Sequence, residues 1–150
     1  MLKSIDPLLN PDLLFVLASM GHGDVLTIVD SNFPIHSVAQ ETVYGKPLRL
    51  DGVSAPRAAR AVLSVMPLDT FIPTAAFRME VVGEPDKWTD VQHEFQKEVF
   101  DAEGPAFRLG AIERFAFYEA AKKSFAVLQT GEGRLYGCFQ LVKGVIPPKA

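Results

Sequence analysis

A short apolar run at residues 25–29, bounded on both sides by turn-forming residues, constrains the fold more than any other feature of this chain. Five consecutive apolar or β-branched residues between turns predict a short buried strand. Gly21, His22 and Gly23 precede the run, and Asp30 follows it. Glycine allows sharp bends and close approach to a ligand, and histidine exchanges protons near neutral pH. The sequence therefore predicts a core strand with a histidine before it and a carboxylate after it.

Helix and strand signals alternate along the rest of the chain. Asn10 followed by Pro11 predicts a helix start, and Gly21 is placed to end that helix in the left-handed conformation. Further helices are predicted from residue 54 to about 67, over 88–99 and over 113–123. Further strands are predicted over 74–82, 125–128 and 135–141. The tight turn at 131–133 favours antiparallel pairing of the last two strands.

This alternation predicts an α/β fold with a central mixed sheet flanked by helices on both faces. The chain has 150 residues and contains no linker-like segment. Residues 1–150 are therefore expected to form a single domain.

Composition excludes several classes of function. The formal net charge is −3 and the basic residues are scattered, which argues against nucleic-acid binding. No apolar run approaches the roughly 20 residues of a membrane helix, and the first residues lack a signal-peptide pattern. Cys138 is the only cysteine, so no internal disulfide can form. We expect a soluble cytoplasmic protein without membrane partners.

The residues alone leave the roles of two side chains open. His22 is either an ordinary exposed turn residue or a proton-transfer group. Asp30 either caps the following turn or binds a ligand, because ligands of α/β sheets bind where strands end. His22, His36 and His93 show no metal-binding spacing, and no phosphate-binding glycine loop is present. A metal or nucleotide cofactor is therefore not implied.

Two blocks of sequence together resemble a known family. The first block contains the Met-Gly-His-Gly-Asp loop at 20–24, the predicted strand that ends in Asp30, and Asn-Phe-Pro at 32–34. The second block is Arg-Phe-Ala-Phe-Tyr-Glu at 114–119. With Tyr136 and Gly137 they resemble the sugar mutarotases and pyranases, that is, the fucose mutarotases and ribose pyranases. The resemblance covers nearly the whole chain and is weakest over 40–107. Arg114 stands where ribose-type members carry histidine, which favours the fucose branch.

The resemblance implies a cofactor-free isomerase that interconverts the α and β anomers of a free monosaccharide, with L-fucose or a related sugar as the expected substrate. His22 would be the catalytic residue that transfers the proton. Asp30, Arg114 and Tyr136 would bind the sugar hydroxyls. Family members assemble into decameric rings with sites between subunits, so a homodecamer is expected.

The sequence departs from the family at Cys138, where the matching residue is asparagine. Cys138 either contacts the sugar weakly or packs as a small hydrophobic residue. Tyr118 belongs either to the core or to the site. His36 either lines the pocket or lies outside it. His93 is expected to be exposed to solvent. Two other functions stay open: a non-catalytic sugar-binding accessory protein of a transport or regulatory system, and a structural protein that only forms oligomers.

Overall fold

The computed structural model describes residues 1–150, which form five helices and six strands. Chain order is α1 (Pro11–Ser19), β1 (Val25–Val29), α2 (Ile35–Ala39), β2 (Leu48–Leu50), α3 (Ala55–Leu63), β3 (Ala76–Met79), α4 (Asp90–Glu103), β4 (Gly110–Ile112), α5 (Arg114–Lys122), β5 (Ala126–Thr130) and β6 (Phe139–Val142). None of the helices combines the length and apolar character that a membrane crossing requires.

The six strands form one mixed sheet in the order β2-β5-β1-β6-β3-β4. The predicted strand β1 lies inside the sheet, parallel to β5 on one edge and antiparallel to β6 on the other. Because both edges are paired, its backbone N–H and C=O groups have partners within the ladder. The predicted mixed sheet is confirmed.

The two faces of the sheet are covered by different helices. Side chains alternate along a strand, so Leu26 and Ile28 of β1 pack on one face and Val29 packs on the other. The first face holds the larger hydrophobic cluster and is covered by α1, α3 and α4. The second face holds a smaller cluster that includes residues of α2 and α5. Helices on both faces, as predicted, leave β1 buried from either side.

The predicted pairing of the last two strands is wrong. β5 and β6 do not pair with one another, because β1 is inserted between them. The strand predicted to begin at residue 135 begins at Phe139, so residues 131–138 form the connection and not a hairpin turn. Eight residues are enough to pass over the end of β1. The central strand gains two paired edges from this arrangement, whereas a hairpin would leave one of them open.

The predicted end of the first helix is also wrong. Asn10 caps α1 as expected, accepting a hydrogen bond from the Leu13 N–H at 2.9 Å. The helix stops at Met20, which is extended at φ −64° and ψ 137°. Gly21 donates its N–H to Asp24 Oδ2 at 2.7 Å, and the left-handed glycine of this turn is Gly23 at φ 86°. The hydrogen bond to the Asp24 carboxylate therefore shifts the left-handed position from Gly21 to Gly23. Helix-end patterns in the sequence do not include such a side-chain contact.

The sequence did not predict the shortest elements, and several observed helix and strand boundaries differ from the predicted ones. The helix α2 and the strands β2 and β4 have three to five residues each, too few to produce a periodic pattern. The strand predicted over 74–82 is four residues long as β3, and the helix predicted over 88–99 is α4 at Asp90–Glu103. These elements depend on contacts with neighbouring strands and helices, which local sequence does not encode.

Gly131 permits a close backbone approach at the end of β5. A Cβ at this position would lie 2.5 Å from the backbone nitrogen of Gly52. The Gly131 N–H donates to the Val53 carbonyl at 2.8 Å, which holds the segment after β2 against the end of β5. A side chain would force these two segments apart.

We expect Gly131→Ala to lower the free energy of unfolding by about 1–3 kcal/mol, as overpacking does elsewhere. The matched control is Gly133→Ala, two residues away, where an added Cβ meets nothing within 4 Å. The control should stay within about 0.5 kcal/mol of the parent. Urea unfolding of the three proteins measures both values. Equal stability of the two variants would contradict the close approach.

Candidate functional site

The carboxyl end of β1 is the point where the sheet changes from a parallel to an antiparallel neighbour. Asp30 follows β1 directly. Because β6 runs antiparallel to β1, the residues before β6, including Tyr136 and Cys138, reach the same edge. Ligands of open α/β sheets bind in the crevice outside the carboxyl ends of strands, at such switch points. The topology therefore singles out this edge as a candidate site.

A cavity of about 300 Å³ lies at this edge. It is lined by Asp30, Asn32, Phe33, Met79, Arg114, Tyr118, Leu135, Tyr136 and Cys138. The volume is at the small end of the range for ligand sites, which suits one small molecule. Four of the five residues predicted for the site, Asp30, Arg114, Tyr136 and Cys138, meet here, although they come from distant parts of the chain.

Asp30 is a buried carboxylate at the floor of the cavity, with 6% of its surface exposed. Its Oδ1 accepts the N–H of Asn32 at 3.0 Å, and its Oδ2 accepts the Cys138 thiol hydrogen at 3.4 Å. Burial raises the pKa of Asp30, and these hydrogen bonds offset only part of the effect. A carboxylate has about four acceptor positions, so Asp30 can accept further O–H donors from a ligand.

Cys138 both packs and faces the cavity. It is 3% exposed, and burial followed by the negative charge of Asp30 raises the pKa of its thiol well above the ordinary value. The thiol therefore stays protonated and directs its hydrogen at Asp30. The side chain is packed, as one alternative from the sequence expected, and it also lines the cavity.

Tyr136 has an unusual backbone conformation, with φ at 61° although it is not glycine. Left-handed geometry costs a non-glycine residue about 1–2 kcal/mol, so neighbouring contacts must hold it. Gln92 of α4 donates from Nε2 to the carbonyls of Tyr136 at 3.2 Å and Met79 at 2.8 Å. The Tyr136 hydroxyl accepts the Val82 N–H at 3.2 Å, which leaves its own hydrogen free to donate into the cavity.

The connection that carries Tyr136 is anchored by an ion pair between the buried Glu132 and the exposed Arg134. Glu132 is 4% exposed and accepts hydrogen bonds from Arg134 Nε at 2.9 Å and the Ala55 N–H at 3.3 Å. Burial raises the pKa of Glu132, but the bonds from Arg134 outweigh it and the net pKa is lowered. Arg134 also pairs with Glu94 of α4 at 2.8 Å. The charged anchor ties the connection to α3 and α4.

Arg114 begins α5 and reaches the cavity without a carboxylate partner. Glu113 instead caps the helix, accepting the Ala116 N–H at 3.0 Å, and Glu119 pairs with Lys122 at 3.0 Å. The guanidinium lies 5.9 Å from the centre of the Tyr118 ring. Arg114 forms no ion pair with either neighbouring glutamate, so its donors are available to a ligand.

His22 lies outside the cavity of its own chain. It precedes β1 while Asp30 follows it, and the rise of a strand separates the two ends by roughly 15 Å. Its side chain is 43% exposed, with Nε2 3.0 Å from Asp69 Oδ1. The chain therefore separates the candidate proton-transfer group from the candidate binding residues.

The remaining sequence candidates divide between the cavity and the surface. Tyr118 lines the cavity, with its ring centre 5.4 Å from that of Phe33. His36 is exposed on α2 and does not line the cavity, and His93 is exposed and stacks on Trp88 at 5.3 Å. Sequence reasoning missed Asn32, Phe33, Met79 and Leu135 as lining residues. Only the Asn-Phe-Pro motif carried a signal for any of them.

The chain is similar to known proteins over almost its whole length. Residues 3–146 match the model of the RbsD / FucU transport protein family. The chain is 44% identical to the fucose mutarotase of Bos taurus, covering 99% of this chain and 96% of that protein. It is 43% identical to the fucose mutarotase of Homo sapiens, covering 97% and 94%.

A solved structure extends the comparison to the fold. The fucose mutarotase of Streptococcus pneumoniae in complex with L-fucose superposes with a TM-score of 0.87 at 34% identity, covering 97% of this chain and 100% of that one. The resemblance drawn from the two sequence blocks is confirmed by these matches, which span both blocks and the region between them. This chain belongs to the RbsD/FucU family.

Proposed function

We propose that the protein is a cofactor-free mutarotase that interconverts the α and β anomers of a free monosaccharide, with L-fucose or a related sugar as substrate. The observation that carries the proposal is the convergence of Asp30, Arg114 and Tyr136 on one small cavity. The names of the curated relatives support the same activity.

The cavity suits a sugar in both its polar and its apolar parts. Asp30 accepts sugar O–H groups, and hydrogen bonds to a charged acceptor are among the stronger ones. Arg114 and the Tyr136 hydroxyl supply donors to the same cavity. Phe33 and Met79 offer apolar surface to the C–H groups of the sugar ring. This combination of a few convergent polar groups with apolar walls is typical of small-molecule sites.

Anomer exchange is accelerated by a group that both accepts and donates a proton. The anomeric O–H loses its proton, the bond from the anomeric carbon to the ring oxygen breaks, and the ring oxygen takes up a proton. Closure on the other face of the aldehyde reverses these transfers. A histidine performs such steps and typically contributes about 10²–10⁴-fold. One chain alone offers no histidine in its cavity.

We assign this role to His22 of a neighbouring subunit, in a homo-oligomer whose sites lie between chains. Exposed apolar residues lie at both ends of β1: Phe71 beside His22, Leu135 in the cavity lining, and Phe115 next to Arg114. A contact between two different ends of the same molecule is heterologous, and such contacts close into rings when the rotation allows. The decameric ring implied by the family resemblance is the form we propose, in the cytoplasm.

A non-catalytic sugar-binding protein is the second candidate, favoured by Cys138 in place of the family asparagine. The two functions differ in one measurement, saturation-difference NMR across a panel of free sugars. A mutarotase transfers saturation between anomer signals faster than buffer does. Binding without faster transfer would identify a sugar-binding accessory protein.

Asp30→Asn should abolish sugar binding and yet stabilise the fold at neutral pH. Because burial raises the pKa of Asp30, the folded state disfavours the ionised form, and stability is lost as pH rises above the ordinary aspartate range. The amide removes this penalty, with an expected gain of about 0.5–2 kcal/mol at pH 7. The gain should shrink on acidification, because protonation of Asp30 removes the buried charge that the amide replaces.

Urea unfolding at neutral and at acidic pH measures the change in stability. Calorimetric titration with L-fucose measures the loss of sugar binding. The control is Asp86→Asn, which changes an exposed carboxylate outside the cavity. A destabilised Asp30→Asn protein at neutral pH would show that the buried charge is fully compensated.

His22→Ala should abolish anomer exchange while sugar binding persists. If sites are shared, mixing this variant with Asp30→Asn restores activity, because some interfaces pair an intact His22 with an intact cavity. In a randomly mixed ring these are about one quarter of all interfaces. Co-expression with two affinity tags, tandem purification and saturation-difference NMR measure the recovery.

The matched control is His22→Ala co-expressed with itself under the same two tags, which should stay inactive. Mixed assemblies without exchange, or a monomer mass of 16.4 kDa by light scattering, would rule out a shared site.

Cys138→Asn should tighten L-fucose binding or raise its exchange rate. The amide donates to Asp30 as the thiol does and adds an acceptor for a sugar hydroxyl. One net hydrogen bond contributes roughly 0.5–1.5 kcal/mol, which corresponds to about two- to thirteenfold. Cys138→Ala, which removes the donor to Asp30, is the control and should not improve either value. Equal or weaker binding by the Asn variant would assign Cys138 to packing alone.

A further inference from the structure

Arg78 is a buried cation without a carboxylate partner. It belongs to β3 and is 3% exposed. Its guanidinium donates to the carbonyls of Pro85 at 2.8 Å and Lys87 at 3.3 Å, and its buried Nε–H has no acceptor. Glu80 and Asp86 are near enough to act on its charge, yet neither forms an ion pair with it. Burial of an unpaired charge is unfavourable, so the arrangement needs an explanation.

The guanidinium acts on the protein from the side of the sheet opposite the cavity. It lies over the ring of Trp88, 4.6 Å from the ring centre, where a cation is attracted to the aromatic face. Successive side chains of a strand point to opposite faces, and the next residue, Met79, lines the cavity. Arg78 therefore does not contact a ligand of the cavity. Any effect on the site must pass through the residues that it holds.

The residues held by Arg78 form a turn at 81–87, between β3 and α4. Residues 82–87 are all exposed, so packing contributes little to the position of this turn. The hydrogen bonds that join the turn to other parts of the chain all involve Arg78 or Tyr136. Arg78 makes two of them, and the third runs from the Val82 N–H to the Tyr136 hydroxyl at 3.2 Å. The position of the Val82 N–H thus depends on Arg78.

The Val82 N–H determines how the Tyr136 hydroxyl can be used. Strands β1 and β3 both run antiparallel to β6, so the turn after β3 lies at the same edge of the sheet as the cavity. A backbone N–H only donates, so it occupies a lone pair of the hydroxyl and leaves the hydrogen for another acceptor. A hydroxyl otherwise rotates to suit its partners, and without this N–H its hydrogen has no fixed direction.

We propose that Arg78 is a positioning residue for Tyr136, holding the turn at 81–87 so that the Val82 N–H fixes the Tyr136 hydroxyl as a donor to the sugar. This inference rests on the proposed sugar site. Gln92 holds the backbone of Tyr136 separately, from α4. Arg78 therefore controls the direction of the hydroxyl hydrogen and not the position of the residue.

The test measures L-fucose affinity by calorimetric titration in Arg78→Met, Arg78→Lys and Tyr136→Phe. Methionine has no donor, and a lysine ammonium lacks the planar fork that bonds two carbonyls while covering the Trp88 ring. Each change should weaken binding about two- to thirteenfold, which corresponds to one net hydrogen bond. The matched control is Glu84→Gln in the same turn, which breaks only an exposed pair with Lys87 at 3.2 Å. It should bind within about twofold of the parent.

A double-mutant cycle separates positioning from simple support of the fold. In the Tyr136→Phe background, Arg78→Met should weaken binding by no more than about twofold further, because the hydroxyl through which Arg78 acts is gone. Amide hydrogen exchange, resolved to single residues by fragmentation and mass spectrometry, gives a second readout that needs no sugar. The Val82 N–H should be protected in the parent, and this protection should be lost in Arg78→Met and in Tyr136→Phe.

An unprotected Val82 N–H in the parent overturns the proposal, whether or not Arg78→Met folds. Arg78 variants that keep the parent's affinity overturn it as well, and so does a loss that adds in full to the loss in Tyr136→Phe. If the parent binds no sugar on the panel, the proposed function fails, and hydrogen exchange at Val82 alone decides whether Arg78 holds the turn against Tyr136.

Discussion

The pairing of β1 on both edges is the constraint on which the rest of the structure depends. Its parallel partner β5 and antiparallel partner β6 leave no unpaired backbone on the central strand. The same arrangement forces residues 131–138 to cross the carboxyl end of β1, because β6 must start there. Tyr136 and Cys138 are thereby carried to Asp30. The cavity is a consequence of how the core strand is paired.

The site concentrates features that do not favour folding. Asp30 is buried with an incompletely compensated charge, and Tyr136 adopts a left-handed backbone. Such features persist only where surrounding contacts over-determine them. Here the contacts are the two hydrogen bonds from Gln92 and the ion pair of buried Glu132 with Arg134. None of the three side chains lines the cavity, and their effect is to hold the residues that do.

Binding and proton transfer are divided between the two ends of one strand. The cavity lies at the carboxyl end of β1. His22 lies at the amino end, where it pairs with Asp69. A strand of five residues is too long for these groups to meet within a chain. Under the proposed shared site, assembly would then be a condition of activity, and a dissociated subunit would bind sugar without converting it.

The sequence by itself determined the class of fold, the core strand, the helix start at Asn10 and most of the polar residues of the cavity. The first three follow from local periodicity and caps, which need no knowledge of distant contacts, whereas most of the cavity residues were implied by the family resemblance of two sequence blocks. Only the tertiary structure decided that β1 separates β5 from β6, that Gln92 supports Tyr136, and that Asp69 faces His22. Each of these contacts joins segments that are far apart in the chain. Such contacts are set by packing and hydrogen bonding across the whole sheet, so a local sequence pattern does not predict them.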